Sequence, residues 1–311
     1  IAGVAAAALI SWQSVAGEVP PRSEGGQTLE VPKEHLDLGE VYYVTPGEDT
    51  QLLCISDAPL QRVAVTCNRV VGYFVTPFEI IAGQPPLLAG ALRLPIASLR
   101  AGTTQYNDVL RGPAFLNAAE YPEITFRLVR VADVALVSEE NVRRRYSLTF
   151  AGELTVRDRV LELEVPVRVE LIPFTWRTMA RNVGELLTVR ARLELKLADV
   201  GLEKPDRSFG ERMADVLNLD LFLMCNTMSP EKNLDPQIKT AHVLRQLRFL
   251  TLLRDFGDAE KGYEFGRSFR RDIWDDAQAL HRLASAVLTD DAITRRDLDA
   301  SRWPCLTPRR P

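Results

Sequence analysis

The chain has 311 residues, of which 46% are hydrophobic and 26% are charged. This composition is typical of a globular protein and excludes a chain that is mostly disordered or fibrous. The formal net charge of −4 excludes a basic surface over the whole protein, so we expect no nucleic-acid partner. The four cysteines and three histidines lack the spacing of metal ligands, so we expect no metal site.

An unbroken apolar run opens the sequence, from Ile1 to Ile10, and is followed by Ser11-Trp12 and then by Ser14-Val15-Ala16-Gly17, which are mostly small. Such a run resembles the apolar core and cleavage site of an export signal. As a helix, 1–17 would extend roughly 25 Å at ~1.5 Å per residue, close to the ~30 Å hydrocarbon core of a bilayer. We favour an uncleaved membrane anchor with the rest of the chain on the extracytoplasmic, periplasmic face. A cleaved signal and a buried Ala-rich helix are the alternatives.

The centre of the chain alternates between apolar and polar residues. Residues 18–50 contain Pro20-Pro21 and are predicted as a linker and a first extended segment. Over 51–230 the apolar period is two, most clearly in 161–171 and 187–197. Strands with one apolar face form antiparallel sheets, and strands this long favour a closed barrel. The sequence therefore predicts a mainly β, antiparallel barrel, which is either filled by its own side chains or holds an apolar ligand.

Several segments of this predicted barrel resemble the YceI-like family. Residues 111–126 (RGPAFLNAAEYPEITF) look like the family signature, in which a loop and short helix with Phe precede Tyr-Pro-x-Ile-Thr-Phe. Residues 71–74 (VGYF) resemble an early Val-x-Gly-x-Phe, and 96–104 resemble a strand that leads into a loop. Residues 146–156 are similar to a strand ending in Gly-x-Leu-Thr-Val. The order and spacing agree over about 57–225.

The resemblance implies a lipocalin-like barrel in an exported, non-enzymatic protein. It also implies that a polyisoprenoid or quinone-like lipid is the ligand held in the barrel. The sequence departs from the family pattern at 57–60, where the family's His is missing, and at 157–159, where Arg-Asp-Arg replaces a Gly turn. The family's late Arg-x-x-Phe-Gly is only loosely matched by 207–210.

Alternation within the strands gives candidate residues for an apolar pocket, for which plain core packing is the alternative role. These candidates are Phe74, Leu94, Phe115, Tyr121, Phe126, Phe150, Leu163, Trp176, Leu193 and Leu221. Cys54 and Cys67 lie on either side of a turn signal at 57–61. In a hairpin centred on that turn the two cysteines would face each other. A disulfide between them is therefore a candidate in an oxidising compartment, and two separate thiols are the alternative.

The last part of the chain, 231–311, changes to a helical period and is predicted as a helical extension with an irregular tail. Helices over about 236–254 and 265–288 either cap the barrel or, through 236–290, dock on other protein subunits. We find no phosphate-binding loop, nucleophile elbow or HExxH motif, so we expect a protein that is not an enzyme. The favoured function is a membrane-anchored accessory subunit docked on a larger membrane complex, photosynthetic or respiratory. The alternative is a polyisoprenoid or quinone-like lipid-binding or carrier protein.

Overall fold

The structure is a computed structural model. It describes residues 28–45, 50–77, 84–140, 143–172, 184–205 and 210–230, together with 253, 287–288 and 293. The predicted anchor over 1–17 and both predicted C-terminal helices fall almost entirely outside these residues and stay predictions. Among the described residues, no helix has the length and apolar character needed to cross a membrane.

The described strands form one antiparallel sheet that closes on itself. β1 pairs with both β4 and β10, and the sheet continues from β4 through β5, β6, β7, β8 and β9 back to β10. The predicted mainly β, closed antiparallel barrel is therefore confirmed, with eight strand positions. The strands are β1 Gly39–Val44, β2 Leu52–Asp57, β3 Arg62–Cys67, β4 Val71–Pro77, β5 Ala89–Pro95, β6 Glu123–Glu140, β7 Arg143–Val156, β8 Arg159–Ile172, β9 Leu186–Lys196 and β10 Val216–Asn226.

Two of the eight positions are each filled by two successive strands. β10 pairs with β1 through its last residues and with β2 through Leu217–Leu221, so β1 and β2 follow one path with an interruption between them. β3 and β4 do the same on the neighbouring path. The buried Gln51 side chain bridges the interruption, since its Nε2 donates to the Val70 carbonyl (3.3 Å) while its Oε1 accepts from the Val70 N–H (2.7 Å). The amide thus replaces a missing pair of ladder hydrogen bonds.

The side-chain alternation read from the sequence holds along the barrel wall. In β8 the odd-numbered residues from Val165 to Leu171 are buried, and the even-numbered ones are more exposed. In β9, Val189, Ala191 and Leu195 are likewise buried. These residues belong to one hydrophobic core inside the barrel, which supplies the main favourable term in folding.

The two ends of the barrel are covered differently. At the lower end, which carries the β2–β3 turn, lie a 3-10 turn over Ile96–Ser98, helix α2 (Thr104–Arg111) and a 3-10 turn over Leu197–Val200. The Thr103 hydroxyl caps α2 by accepting from the Tyr106 N–H at 3.3 Å. The upper end carries Gly39, where β1 begins.

A second, smaller hydrophobic cluster lies outside the barrel. It joins Leu29 and Leu38 to the outward-facing Val41, Tyr73 and Ala91 of β1, β4 and β5. The short helix α1 (Lys33–Leu36) lies in the same segment, and the His35 Nδ1 is 2.7 Å from the Tyr73 hydroxyl. The N-terminal described segment therefore covers one patch of the outer wall.

Two sequence-based predictions need correction. The disulfide between Cys54 and Cys67 does not form, and both thiols are free. The hairpin pairs Asp57 with Arg62, which places Cys54 opposite Val65 and Cys67 opposite Leu52, two residues out of register. The barrel also begins before residue 51, because β1 lies within the segment assigned as linker and first extended segment and forms the first part of the wall path that β2 continues.

Candidate functional site

The barrel encloses an apolar cavity of about 170 Å³ at mid-height. Its wall is made by the inward faces of strands from all sides of the barrel, and Thr125 is the only polar residue that contributes to it among those described. Residues that line it include Phe74, Leu92, Leu94, Phe126, Phe150, Leu154, Leu163, Val189, Ala191, Leu193 and Leu221. We call this space the upper lobe.

A second cavity of about 140 Å³, the lower lobe, continues toward the lower end. It is lined by β2, β3 and α2, through residues such as Val65, Val109 and Leu110, and by Phe115 and Leu116 after α2. The two lobes share part of their lining: Leu52, Leu94, Ile124, Val156, Leu195 and Leu219. The lobes are therefore neighbouring sections of one elongated apolar space that follows the barrel axis.

Two glycines allow aromatic rings to lie flat against the inner wall. A Cβ on Gly90 would come within 2.6 Å of the Phe74 ring, and a Cβ on Gly152 within 2.5 Å of the Phe126 ring. Phe74 also packs against Phe150, with ring centroids 5.8 Å apart. Each glycine lets a ring lie close to the neighbouring strand, while the contact between Phe74 on β4 and Phe150 on β7 crosses part of the interior. The space that remains beside these rings is the upper lobe.

Apart from Thr125, the described polar groups that line the cavity lie in the lower lobe. They are the Ser56 hydroxyl, the Tyr106 phenol and the Arg212 guanidinium. The Tyr106 hydroxyl bonds to the Gln61 side chain, and Ser56 Oγ accepts from the Ala214 N–H at 2.9 Å. Arg212 makes no ion pair with a carboxylate of the described residues. The lower lobe is therefore the end of the cavity at which a polar group of a ligand would find polar side chains.

The lower lobe also contains a thiol. Cys54 lies on β2, and burial raises the pKa of its thiol to about 11. At the other end of the barrel, the buried Tyr42 donates to Glu185 Oε2 at 2.7 Å. Burial first, and the nearby Glu185 and Glu40 carboxylates next, raise the pKa of Tyr42. Both groups stay neutral near pH 7, so neither introduces a charge into the apolar space.

The structure brings most of the candidate pocket residues together. Phe74, Leu94, Phe126, Phe150, Leu163, Leu193 and Leu221 line the upper lobe, and Phe115 lines the lower lobe. Tyr121 does not line the cavity; its ring lies under the Arg157 guanidinium, 5.6 Å away. Arg157 has a left-handed backbone (φ 55°) at the β7–β8 turn and also donates to the Phe115 carbonyl, so it ties that turn to the lower end. Trp176 lies outside the described residues.

Sequence reasoning missed most of the lower lobe. Leu99, Leu110, Val200 and Met213 come from short or irregular elements, in which period-two alternation gives no signal, whereas Val63 and Val65 alternate in the short strand β3. The Val109-Leu110 pair on α2 shows an apolar helix face, but only the tertiary structure directs that face into the barrel. The β10 residues Leu217 and Leu219 carried a signal, because they continue the alternation that predicted Leu221.

The family comparison agrees with this geometry. Residues 64–223, just over half of the chain, match the YceI-like domain. The chain belongs to the YceI-like family. The matched range runs from β3 to β10, so it contains all of the strands that line the upper lobe except β2. No curated protein matches the chain significantly.

Solved structures of similar fold come from several bacteria. BcnA of Burkholderia cenocepacia is 18% identical, with 56% of this chain and 95% of that chain covered and a TM-score of 0.42. A polyisoprenoid-binding domain from Saccharophagus degradans, implicated in plant cell wall breakdown, is 14% identical, with 60% and 98% covered and a TM-score of 0.43. The YceI protein of Campylobacter jejuni is 13% identical, with 52% and 83% covered and a TM-score of 0.40.

Proposed function

We propose that this protein binds an apolar, chain-like lipid of the isoprenoid class inside the barrel and does so without transforming it. One observation carries the proposal: the interior holds an elongated cavity lined almost wholly by aliphatic and aromatic side chains. An eight-stranded barrel has room for one small ligand of this kind. Isoprenoid is the class of apolar chain that the YceI-like resemblance implies.

The cavity volumes limit how much of the chain is enclosed. An apolar cavity of ~150 Å³ holds a ring of six carbons, and the two lobes have volumes of about 170 and 140 Å³. An isoprene unit has five carbons, so each lobe accommodates about one unit. The described cavity therefore encloses about two units, and the affinity for prenyl chains should rise up to that length and level off beyond it.

The distribution of polar groups sets the direction of the ligand. Ser56, Tyr106 and Arg212 lie in the lower lobe, whereas the upper lobe offers only Thr125. A polar head left in the upper lobe would lose its hydrogen bonds to water without replacement, at about 1–3 kcal/mol. The hydrocarbon end therefore lies among Phe74, Phe126 and Phe150, and the polar end points toward Arg212.

Native mass spectrometry of the purified full chain, followed by solvent extraction, tests the proposal. We expect one isoprenoid per chain, or saturable uptake of added prenyl alcohols, with the affinity rising from five to ten carbons and changing little at fifteen. In the Arg212→Leu variant, an alcohol should bind more weakly while a prenyl hydrocarbon of the same length binds as before. A chain that carries no lipid and takes up none of these compounds would refute the proposal.

A second function is an accessory role on a membrane complex. We propose that residues 1–17 anchor the protein to the extracytoplasmic face of a membrane and that 236–290 dock on other subunits. The observation that favours a protein contact is that Leu136 and Val137 are 52% and 65% exposed, on the part of β6 that extends past the end of β5.

A native gel of solubilised membranes tests this role. A Leu136→Ser, Val137→Ser double variant should migrate as the free protein, whereas Val160→Ser, which changes an equally exposed residue (62%) at the opposite hairpin, should stay in the complex. Alkaline extraction of the membranes tests the anchor, since an anchored chain stays in the pellet. Free migration of the wild-type chain would end this proposal and leave the lipid-binding one intact.

A further inference from the structure

A separate polar pocket of about 340 Å³ lies on the barrel wall where the path of β3 and β4 is interrupted. There Thr66 pairs with Arg100 through two backbone hydrogen bonds of 2.8 and 2.9 Å, which join the end of β3 to the segment before α2. Apart from the buried Cys67, all of the lining residues are polar: Thr50, Thr66, Asn68, Arg69, Ser98 and Arg100.

The charge of this pocket is wholly positive. Two guanidinium groups, those of Arg69 and Arg100, line it, and no Asp or Glu of the described residues does so. Neither arginine makes an ion pair with a carboxylate in the described part of the chain. Several arginines elsewhere on the outer wall are paired with carboxylates, for example Arg93–Glu123 and Arg127–Glu153, both at 2.7 Å. The pocket therefore holds two cations that have no counter-charge among the described residues.

Two of the side chains around the pocket, those of Arg100 and Ser98, are held in place by hydrogen bonds before anything binds. Nη1 of Arg100 donates to the carbonyls of Ala97 (2.8 Å) and Leu99 (3.1 Å), which fixes the guanidinium and leaves its remaining N–H groups available. Ser98 Oγ donates to the Pro95 carbonyl at 2.6 Å and lies 3.0 Å from Cys67 Sγ. A ligand would therefore meet a frame that needs little reordering, which lowers the entropic cost of binding.

The pocket is distinct from the apolar cavity. Thr66 and Arg100 face away from the barrel axis, whereas Val65, Leu99 and Ala101, next to them in the chain, line the lower lobe. A ligand in the pocket is thus separated from one in the lobe by the wall itself. The two sites can be occupied, and tested, independently.

We propose that this pocket binds a phosphate group. The planar guanidinium donates two parallel hydrogen bonds to phosphate oxygens, and arginine is enriched wherever phosphate is recognised in this way. The hydroxyls of Thr50 and Thr66 add further donors. The volume is about ten times the ~30 Å³ that a water molecule takes up, so a phosphate fits together with part of the molecule that bears it. A soluble phosphate compound and a phospholipid headgroup share this chemistry.

Calorimetric titration of the full chain with inorganic phosphate and with pyrophosphate, at low ionic strength, tests the pocket. We expect saturable binding that weakens with added salt. Arg69→Gln and Arg100→Gln should each weaken it about tenfold or more, since each removes charge-assisted hydrogen bonds. Arg168→Gln, on the exposed face of β8, is the matched control and should bind like the wild type.

Flotation with phosphatidylcholine vesicles, with and without phosphatidate, separates the two sources. Association that needs phosphatidate and is lost in Arg69→Gln and Arg100→Gln identifies a lipid headgroup; phosphate binding without flotation identifies a soluble compound. The proposal is overturned if the wild-type chain binds neither phosphate, pyrophosphate nor phosphatidate, or if both variants bind like the wild type. Ala191→Phe, which fills the upper lobe, should leave phosphate binding unchanged.

Discussion

Substitution of Ala191 by Phe tests whether the upper lobe holds the ligand. Ala191 lies on β9, is 7% exposed and faces the lobe between Val167 and Leu221. The added phenyl ring needs about the ~150 Å³ in which an apolar cavity holds benzene, and the lobe has about 170 Å³. The ring therefore fills the space that one isoprene unit would occupy, without breaking the wall.

The expected loss of affinity follows from the carbons that are displaced. One isoprene unit has five carbons, and burial contributes ~0.8 kcal/mol per CH₂ group, so about 4 kcal/mol of binding energy is removed. This corresponds to a roughly thousandfold increase in Kd for a ten-carbon prenyl alcohol. The thermal midpoint should change little, because the buried ring offsets the strain of added volume, and each amounts to about 1–3 kcal/mol.

The assay is a titration with the prenyl alcohol, in which binding is detected by displacement of a fluorescent apolar probe. A thermal unfolding scan of the same variant accompanies it. Glu194→Phe is the matched control, since residue 194 lies on the same strand but on the exposed face. Unchanged affinity in a folded Ala191→Phe protein would show that the ligand does not use the upper lobe, and the reasoning from cavity volume would fail.

Three further predictions concern stability, pH and reactivity. Gln51→Leu should lower the free energy of unfolding in urea by about 1–3 kcal/mol, because it leaves the buried Val70 N–H without its acceptor. Burial is the largest effect on the pKa of His35 and lowers it. The Glu34 carboxylate opposes this shift, and the Arg127 guanidinium adds to it. The folded state therefore favours the neutral ring beside Tyr73. The contribution of His35 to the free energy of unfolding is therefore fully present above pH ~6.5, and it is lost as the pH falls through the lower native pKa. In chemical unfolding, His35→Gln should reduce the dependence of the unfolding free energy on pH over this range. With its pKa raised to about 11, Cys54 should react with iodoacetamide at pH 8 roughly a hundred times more slowly than an ordinary thiol, as measured by mass spectrometry, and bound lipid should slow it further.

Each of these predictions has a control or a contradicting result. Gln61→Leu is the control for Gln51→Leu, because the Gln61 side chain bonds to the Tyr106 hydroxyl and does not bridge the interruption of the wall. It should change the free energy of unfolding by less than about 1 kcal/mol. A His35→Gln protein with the same pH dependence as the wild type would exclude this ring as the source. Rapid labelling of Cys54 in the folded chain would mean that solvent reaches the lower lobe freely.

The barrel wall was predictable because its signal is local. Alternation along 161–171 and 187–197 assigns each residue to the inner or the outer face, and the structure places Val165, Val169 and Val189 inside as expected. The resemblance at 111–126 and 146–156 located the family before any pairing was known, and the family match over 64–223 confirms it. Face assignment needs only residues two positions apart, so the sequence is sufficient for it.

Register and closure were not predictable in the same way. The hairpin turn places Cys54 opposite Val65, and a different turn length would have paired the thiols; the sequence offered no means to choose between these registers. Likewise, β1 closes the barrel because it pairs with β4 on one side and with the end of β10 on the other, and these strands are distant from it in the sequence. Tyr121 has the aromatic character of a pocket residue, yet its contact with Arg157 holds it outside the cavity.

The order of residues along this chain was enough to establish an antiparallel barrel with an apolar lining and to name most of the residues on that lining. The open space within it was settled by tertiary structure alone, since Gly90 and Gly152, on the strands next to Phe74 and Phe126, give the two rings room close to the wall. The two arginines of the polar pocket at the interrupted wall also come together only through the pairing of Thr66 with Arg100. The physical reason is the same in both cases: which side a residue faces depends on its nearest neighbours, but what it meets there depends on strands that are distant in the sequence.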